Sequence, residues 1–407
     1  MRKPLAILAL MGIAGSQPTM STAQEPLPPI KAQNATPAIQ VPAPLKPIAT
    51  QAQSADEWKR LGVDDQIWGR LGSGGDRQAL LKSIDHSLQY LETDTAAQIY
   101  QNYPIREISR DRVRRSLLRF RELVVKSQST WQLQAAVKRE FILYKSIGRD
   151  GNGDVLFTAY YQPIYAASRV PTAEYRYPLY RMPDNFAQWS KPHPDRMQLE
   201  GPDGLLAEKS PLHGLEIFWL RDRLEAFLVQ IEGSAGLKLT DGSETTVSYI
   251  GGTDYAYTSI GKELVKDGKL PLKGLTLPVM IRYFRQHPEE LSNYLPRYQR
   301  YVFFKETHGE PAMGSIHAPV TADRSIATDK GIMPPGALAL IHAEFPYPSA
   351  QGKLVYRQVS RYVLDQDTGS AIKGPGRVDY YLGTGELAGD RAGVSGGDGQ
   401  LYYLLLK

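Results

Sequence analysis

The stretch that decides the fold reads Asp367-Thr-Gly-Ser-Ala-Ile-Lys-Gly-Pro-Gly-Arg-Val-Asp379-Tyr-Tyr-Leu-Gly383. Asp390 follows in Ala388-Gly-Asp-Arg-Ala-Gly393, and Asp329 precedes in Thr328-Asp-Lys-Gly-Ile-Met-Pro-Pro-Gly336. Acidic side chains between short apolar runs and tight turns are typical of a β-barrel that holds carboxylates at the edge of a cleft. Carboxylates held in this way can transfer protons. The stretch therefore predicts an acid–base site on a framework of strands.

The N-terminal residues 1–23 have the pattern of a secretory signal peptide. Basic residues precede an apolar run, Leu5 to Ala14, that is too short to span a bilayer, and Ser21-Thr-Ala23 forms a cleavage site. Residues 24–53 contain seven prolines and predict an extended, disordered linker. We therefore expect an exported protein that is periplasmic or associated with an outer membrane.

Composition excludes several classes of protein. The chain has no cysteine, so we expect neither disulfides nor a lipoprotein anchor. The formal charge of +5 falls to +3 when Arg2 and Lys3 leave with the signal peptide. No cluster of basic residues is dense enough to predict nucleic-acid binding. Arginines at 112, 114, 115, 119 and 121 crowd one predicted helix and indicate either a solvated face or contact with an anionic polymer.

The periodicity of apolar residues changes along the chain. It is helical from about 76 to 147, and strand-like runs separated by Gly and Pro follow Gly148. We interpret Ala226–Ile231 as one of these strands, and Thr258–Lys266 and Pro278–Gln286 as helices. The sequence thus predicts a mainly β fold behind a helical N-terminal segment.

Other catalytic chemistries fit the residues poorly. No pair or cluster of histidines has metal-ligand spacing. Ser395 has the Gly-x-Ser-x-Gly spelling of a nucleophile elbow, but a loop follows it and no histidine lies downstream. Asp367-Thr-Gly-Ser370 resembles the turn of an aspartic protease, which needs two such turns, and this chain has one.

Carboxylates beside tyrosines favour the cleavage of a glycosidic bond. That reaction needs a carboxylic acid with a raised pKa to protonate the leaving oxygen. Asp379 lies between Val378 and a pair of tyrosines, and Asp367 is a plausible partner for it. Aromatic rings also stack on sugars, and the candidate rings are Tyr160, Tyr161, Tyr255, Tyr257, Tyr380 and Tyr381.

Motifs along the chain resemble the membrane-bound lytic murein transglycosylase A family, including its C-terminal "three-aspartate" domain. Besides the aspartate stretches, the matching segments are Phe157-Thr-Ala-Tyr-Tyr-Gln-Pro163, Tyr177-Pro-Leu-Tyr-Arg-Met-Pro183, Gln230-Ile-Glu-Gly-Ser-Ala-Gly236, Asp254-Tyr-Ala-Tyr-Thr-Ser-Ile-Gly-Lys262, Val302-Phe-Phe-Lys305 and Gly389-Asp-Arg-Ala-Gly393. They occur in order from about 150 to 407, whereas residues 54–147 resemble the family only loosely.

The resemblance implies a double-ψ β-barrel, a second β-domain inserted into it, and a glycan groove between the two. Residues 54–163 would hold the helical segment and the first part of the barrel domain. Residues 164–312 would form the inserted domain, and 313–407 the rest of the barrel.

The resemblance also implies the activity, a peptidoglycan lytic exotransglycosylase. The β-1,4 bond between N-acetylmuramic acid and N-acetylglucosamine would be cleaved as the muramyl C6 hydroxyl closes a 1,6-anhydro ring. Asp379 matches the catalytic acid and then base, with Asp367 and Asp329 completing the catalytic set. The substrate-binding candidates are Thr158, Tyr160, Tyr161, Gln230, Tyr255, Tyr257, Lys373 and Tyr380.

No cofactor or metal ion is implied, and the expected partners are peptidoglycan strands and proteins of cell-wall synthesis or division, bound by a monomer. The chain departs from the family pattern in lacking the lipid-anchoring cysteine and in having Ser370 where glycine is usual. The alternative function is a non-catalytic peptidoglycan-binding scaffold. Retention of all three aspartates favours the enzyme.

Overall fold

The computed structural model describes residues 43–69 and 74–407. The predicted signal peptide and most of the predicted linker therefore lie outside the described residues. The helices are α1 (Gln51–Leu61), α2 (Arg77–Leu91), α3 (Asp94–Gln101), α4 (Arg110–Lys126), α5 (Thr130–Glu140), α6 (Arg196–Glu200), α7 (Arg223–Glu232), α8 (Ile260–Lys266), α9 (Leu277–Gln286), α10 (Leu291–Tyr294) and α11 (Glu386–Val394). The strands are β1 (Leu45–Pro47), β2 (Phe141–Ser146), β3 (Val155–Gln162), β4 (Ile164–Ser168), β5 (Tyr177–Tyr180), β6 (Glu216–Leu220), β7 (Ser234–Leu239), β8 (Glu244–Gly252), β9 (Val302–Glu306), β10 (Ser325–Ala327), β11 (Leu338–Pro348), β12 (Leu354–Asp367), β13 (Arg377–Thr384) and β14 (Gly396–Leu406).

Six strands close a barrel in the order β3, β13, β10, β12, β11 and β14, with β14 pairing back onto β3. The β3–β13 and β10–β12 pairs are parallel, and the other neighbours in the ring are antiparallel. Asp367 ends β12 and Asp379 lies within β13. The prediction of a barrel that carries these aspartates is therefore confirmed.

The inserted segment forms a second sheet of six strands in the order β5, β6, β4, β7, β8 and β9. Phe218, Leu237 and Phe304 lie in its apolar core. The chain passes from the barrel into this sheet at Pro163, which separates β3 from β4. The predicted second β-domain is thus confirmed, and its strands begin directly beside the strand that carries Thr158.

The N-terminal helices pack on the barrel in one continuous core. Ser109 caps the start of α4, and its hydroxyl accepts the Arg112 N–H at 3.2 Å. Its apolar residues at helical spacing are buried: Val113, Leu117, Phe120 and Val124. Most of the crowded arginines pair with acids, namely Arg114 with Glu92, Arg115 with Asp111, Arg119 with Glu122 and Glu140, and Arg121 with Asp85. This pairing favours the solvated face over contact with an anionic polymer.

A buried guanidinium joins the segment between α1 and α2 to the barrel. Arg324 has a fully buried side chain, and its nitrogens lie 2.6 Å from Asp64 Oδ2 and 2.6 Å from Asp76 Oδ1. A second arginine, Arg361, contacts Asp65 at 2.9 Å. Because a buried charge is tolerated only with partners, the network holds this segment against β10 and β12.

The structure differs from the sequence-based assignment in several elements. Residues 226–231 are not a strand but the middle of α7, which Asp222 caps at its start and Gly233 ends in a left-handed conformation. A short run in which Gln230 is the one polar residue fits a buried strand or a buried helix equally well, and the two caps distinguish them. Residues 45–47 and 51–53 of the predicted linker belong to β1 and α1, and β1 pairs with β2. Asp390 lies on α11.

Candidate active site

The site begins with the parallel pairing of β3 and β13, which places Thr158 opposite Asp379. The Thr158 hydroxyl donates to Asp379 Oδ1 at 2.6 Å, and Arg377 Nη2 donates to the same hydroxyl oxygen at 2.9 Å. Arg377 lies two residues before Asp379 and shares its face of the strand. Its Nε is buried without a hydrogen-bond partner among the described residues. A short chain of hydrogen bonds thus runs from a guanidinium through a hydroxyl to a carboxyl group.

A second carboxyl group, that of Asp367, lies beside this chain. The Tyr160 hydroxyl donates to Asp367 Oδ2 at 2.7 Å, and the N–H groups of Ser315 and Thr368 donate to Oδ1 at 2.9 and 2.8 Å. Tyr160 packs against Tyr381 with ring centroids 5.1 Å apart. Three donors therefore fix the orientation of Asp367 within the barrel wall.

The surroundings raise the pKa of both carboxyl groups. Burial is the main cause for Asp379, the charge of Asp367 adds to it, and the Thr158 hydrogen bond and Arg377 oppose it. Burial likewise raises the pKa of Asp367, against the hydrogen bond from Tyr160 and the charge of Lys330. The sequence suggested that Val378 and Tyr380 flank the Asp379 carboxyl group and raise its pKa. In the structure these two side chains point to the barrel core on the other face of β13.

A polar cluster around Asp365 lies beside Asp367 at the end of β12. Asp365 is fully buried and accepts hydrogen bonds from Thr328 Oγ1 at 2.7 Å and from the Tyr403 hydroxyl at 2.7 Å. Lys330 forms an ion pair with Asp365 and also donates to the main-chain carbonyl of Asp367. The lysine thereby connects the buried aspartate to the end of β12.

Asp329 occupies a different position from the other two predicted aspartates. Its Oδ2 accepts the Gly374 N–H at 2.8 Å and its Oδ1 accepts the Gly331 N–H at 3.1 Å. No hydrogen bond among the described residues joins it to Asp379 or Asp367. The side chain therefore holds the loop that carries Lys373, which is itself exposed.

The inserted domain brings a third carboxyl group, Glu232, close to β3 and Asp379. It ends α7, and its Oε2 accepts the Tyr161 N–H of β3 at 3.3 Å. Burial and the charge of Asp379 raise the pKa of Glu232 to about 8. Tyr257 is 39% exposed, with its ring centroid 5.8 Å from that of Tyr298. Glu232 and Arg377 both act electrostatically on Tyr257, so this ring lies near both side chains.

Some predicted substrate-binding side chains are committed to internal contacts. Gln230 is buried and accepts a hydrogen bond from Arg196 at 2.6 Å. Tyr380 is completely buried and donates to the Asp323 carbonyl at 2.8 Å. Tyr255 donates to the His193 carbonyl at 2.6 Å. Because Gln230 and Tyr380 are buried, the expectation of direct glycan contact is wrong for these two side chains.

Sequence reasoning missed four residues of the site: Arg377, Glu232, Lys330 and Asp365. Arg377 could have been found, since residues two apart on a strand share a face. Glu232 lies within a motif that the resemblance had already singled out. Lys330 and Asp365 each adjoin a predicted loop or strand end, but only the folded barrel brings them together.

The described residues hold no group of three or more His, Cys, Asp and Glu side chains arranged to bind a metal ion. None of the helices found in those residues has the length and apolar character needed to cross a membrane.

Comparison with known proteins identifies relatives of both domains. Residues 156–305 match the family model described as the MltA specific insert domain, and residues 324–405 match the 3D domain. Membrane-bound lytic murein transglycosylase A of Escherichia coli K12 is 32% identical over 259 residues, which cover 63% of this chain and 67% of the relative.

Two solved structures share the fold over most of their length. A membrane-bound lytic murein transglycosylase from Agrobacterium tumefaciens aligns with a TM-score of 0.64 and 25% identity, over 81% of this chain and 93% of that one. E. coli MltA with bound chitohexaose also aligns with a TM-score of 0.64 and 25% identity, over 85% and 94% of the two chains.

Proposed function

Because this chain belongs to the membrane-bound lytic murein transglycosylase A family, it is a peptidoglycan-cleaving lytic transglycosylase, and we propose the bond and the mechanism. The bond is the β-1,4 linkage between N-acetylmuramic acid and N-acetylglucosamine, and the product is 1,6-anhydromuramic acid. Asp379 serves first as the general acid and then as the general base.

The observation that carries this proposal is the setting of Asp379. Its carboxyl group has a pKa raised by burial and by Asp367, so the protonated form persists to higher pH than in an exposed aspartate. The Thr158 hydroxyl holds the same group in one orientation at 2.6 Å. A proton donor must have both properties: a retained proton and a fixed direction.

The reaction balances with one carboxyl group. Asp379 donates its proton to the glycosidic oxygen, the bond from the muramyl C1 to that oxygen breaks, and N-acetylglucosamine leaves with a free 4-hydroxyl. The muramyl C6 hydroxyl then attacks C1, and its proton returns to the Asp379 carboxylate. No water is consumed, and the intramolecular nucleophile gains the advantage of proximity. Asp379 ends the cycle protonated, as it began.

Neighbouring groups support the two halves of this cycle differently. While Asp379 is ionised, the Thr158 hydrogen bond, strengthened by Arg377, stabilises the carboxylate. While Asp379 is protonated, the charge of Asp367 favours the retained proton. Asp329 acts on the loop at Gly374 and supports the site through the backbone.

The substrate that we propose is the glycan strand of peptidoglycan, lying between the barrel and the inserted domain. E. coli MltA is described with bound chitohexaose, an oligomer of N-acetylglucosamine. In the present chain, the exposed ring of Tyr257 offers an apolar surface for a sugar beside Arg377 and Glu232. We place the enzyme on the periplasmic side of the cell envelope, in keeping with the membrane-bound relatives.

Digestion of purified sacculi followed by mass spectrometry tests the proposal. We expect 1,6-anhydromuropeptides from the wild type and their loss in Asp379→Asn, which cannot donate a proton. The matched control is Asp390→Asn, an exposed aspartate of α11, which should retain activity. Products with reducing ends would identify a hydrolase, and binding without products would identify the scaffold function. An active Asp379→Asn variant would refute the assignment of the acid.

A further inference from the structure

Glu232 lies where the inserted domain meets the barrel. It is the last residue of α7, and Gly233 follows in the left-handed conformation that ends the helix. Its carboxyl group reaches across to β3 and accepts the Tyr161 N–H at 3.3 Å. This contact joins the two domains beside the strand that carries Thr158. The catalytic cycle proposed for Asp379 makes no use of this carboxyl group.

No basic side chain forms an ion pair with Glu232 in the part of the chain that the structure describes. The charge of Asp379 on β13 acts on Glu232 directly. Glu232 in turn acts on the hydroxyl groups of Tyr161 on β3, Tyr165 on β4 and Tyr257. Two further charged groups lie nearby, because Asp390 of α11 acts on Tyr161 and Arg377 of β13 acts on Tyr257. The end of a helix carries a partial negative charge, which also disfavours a carboxylate. Helix position and the adjacent acid therefore agree with the raised pKa of about 8.

We propose that Glu232, held at the domain junction by the Tyr161 N–H, is a substrate-positioning residue that binds the acetamido group of an N-acetylated sugar next to the scissile bond. This inference rests on the proposed function and adds a determinant of specificity to it. A neutral carboxylic acid offers one O–H donor and one carbonyl acceptor. An acetamido group offers the complementary pair, a carbonyl acceptor and an N–H donor. The two groups match in a pair of hydrogen bonds, whereas a deacetylated sugar lacks the carbonyl acceptor and, as an ammonium, can only donate.

The test compares N-acetylated with de-N-acetylated glycan. Release of anhydromuropeptides from acetylated and chemically deacetylated sacculi is measured for the wild type, Glu232→Leu and Glu232→Gln. We expect the wild type to prefer acetylated strands at least about tenfold, and Glu232→Leu to lose that preference. Glu232→Gln should keep it, because the amide still donates a hydrogen bond. An unchanged preference in Glu232→Leu overturns the inference.

A pH series separates this role from a merely structural one. Above pH 8 the wild type should lose its preference as Glu232 ionises, and Glu232→Gln should keep the preference over the same range. Equal pH profiles would contradict the inference, even if the leucine variant failed to fold. Glu225→Leu is the matched control, since Glu225 is a half-buried glutamate at the other end of α7.

A binding measurement distinguishes failure of this inference from failure of the proposed function. In the Asp379→Asn background, chitohexaose and its deacetylated counterpart are titrated with and without Glu232→Leu. Selective weakening of chitohexaose binding supports the acetamido contact whatever reaction follows. If the wild type releases no anhydro product but this selectivity is present, the proposed reaction alone is wrong. If products form without the selectivity, the Glu232 contact alone is wrong.

Discussion

Replacing Glu232 with glutamine should remove a pH-dependent loss of stability. The pKa of this carboxyl group is raised from 4.5 to about 8 in the folded protein. Between these values the folded chain retains a proton that the unfolded chain has released. The free energy of unfolding of the wild type must therefore fall as the pH rises through this range. Glutamine carries no titrating proton and can still accept the Tyr161 N–H.

The magnitude follows from the two pKa values. One pKa unit corresponds to about 1.4 kcal/mol, so the full difference corresponds to an upper limit of about 5 kcal/mol above pH 8. Glu232 is only half-buried, and solvent that reaches its carboxyl group screens part of this penalty. One proton can change the difference by at most about 4 kcal/mol over three pH units, so after screening we expect the variant to gain about 2 to 3 kcal/mol over the wild type between pH 5 and pH 8.

The assay is urea unfolding of both proteins from pH 5 to pH 9, followed by tryptophan fluorescence. Glu225→Gln is the control, because burial and Asp222 raise the pKa of Glu225 while Arg221 and Arg285 counteract them. A smaller change with pH is therefore expected for that variant. If the stability difference between wild type and Glu232→Gln were constant across the range, Glu232 would be ionised in the folded protein. The donor role proposed for it would then be wrong.

Three further predictions concern other parts of the molecule. Thr158→Val removes the hydrogen-bond donor to Asp379, so kcat/KM should fall by about tenfold or more. The alkaline limb of the pH–rate profile should move to higher pH, and an unchanged profile would contradict the hydrogen-bond chain. Arg324→Met leaves the buried Asp64 without its main partner, so the free energy of unfolding measured in urea titrations should fall by about 3 to 5 kcal/mol. A loss below about 1 kcal/mol would show that water replaces the guanidinium. Tyr257→Ala should raise KM for glycan strands by up to about tenfold with a smaller change in kcat, since the ring supplies contact area rather than protons; an unaltered KM would place the strand elsewhere.

Much of the fold could be predicted from sequence because its signals are local. The switch from helical periodicity to short strands after Gly148 indicated the order of the elements, and the apolar stripe of α4 is buried as its spacing predicts. The assignment failed at residues 226–231, where a short, mainly apolar run fits either element and only its caps distinguish a helix from a strand. Tyr380 was misjudged for a related reason: its neighbour Asp379 faces the site, and successive residues of a strand face opposite sides.

The candidate site, like the fold, could be predicted from the sequence only in part. The aspartate stretch by itself indicated Asp379 and Asp367, because both lie in a short segment with recognisable turns and strands. The pairing of β3 with β13, which brings Thr158 to Asp379, depends on the closure of a barrel from segments on either side of the inserted domain. The approach of Glu232 depends on the packing of that domain against β3.

The sequence by itself thus determined which carboxyl groups could act and on what kind of framework they lie. Only the tertiary structure decided which of them share one electrostatic environment. The physical reason is that burial and charge act through space over a few ångströms, while sequence patterns report neighbours along the chain. Asp329 was grouped with the other two aspartates by its motif, yet it bonds to the backbone at Gly374. Glu232 was passed over within a motif, yet it lies close enough to Asp379 for the charge of Asp379 to raise its proton affinity.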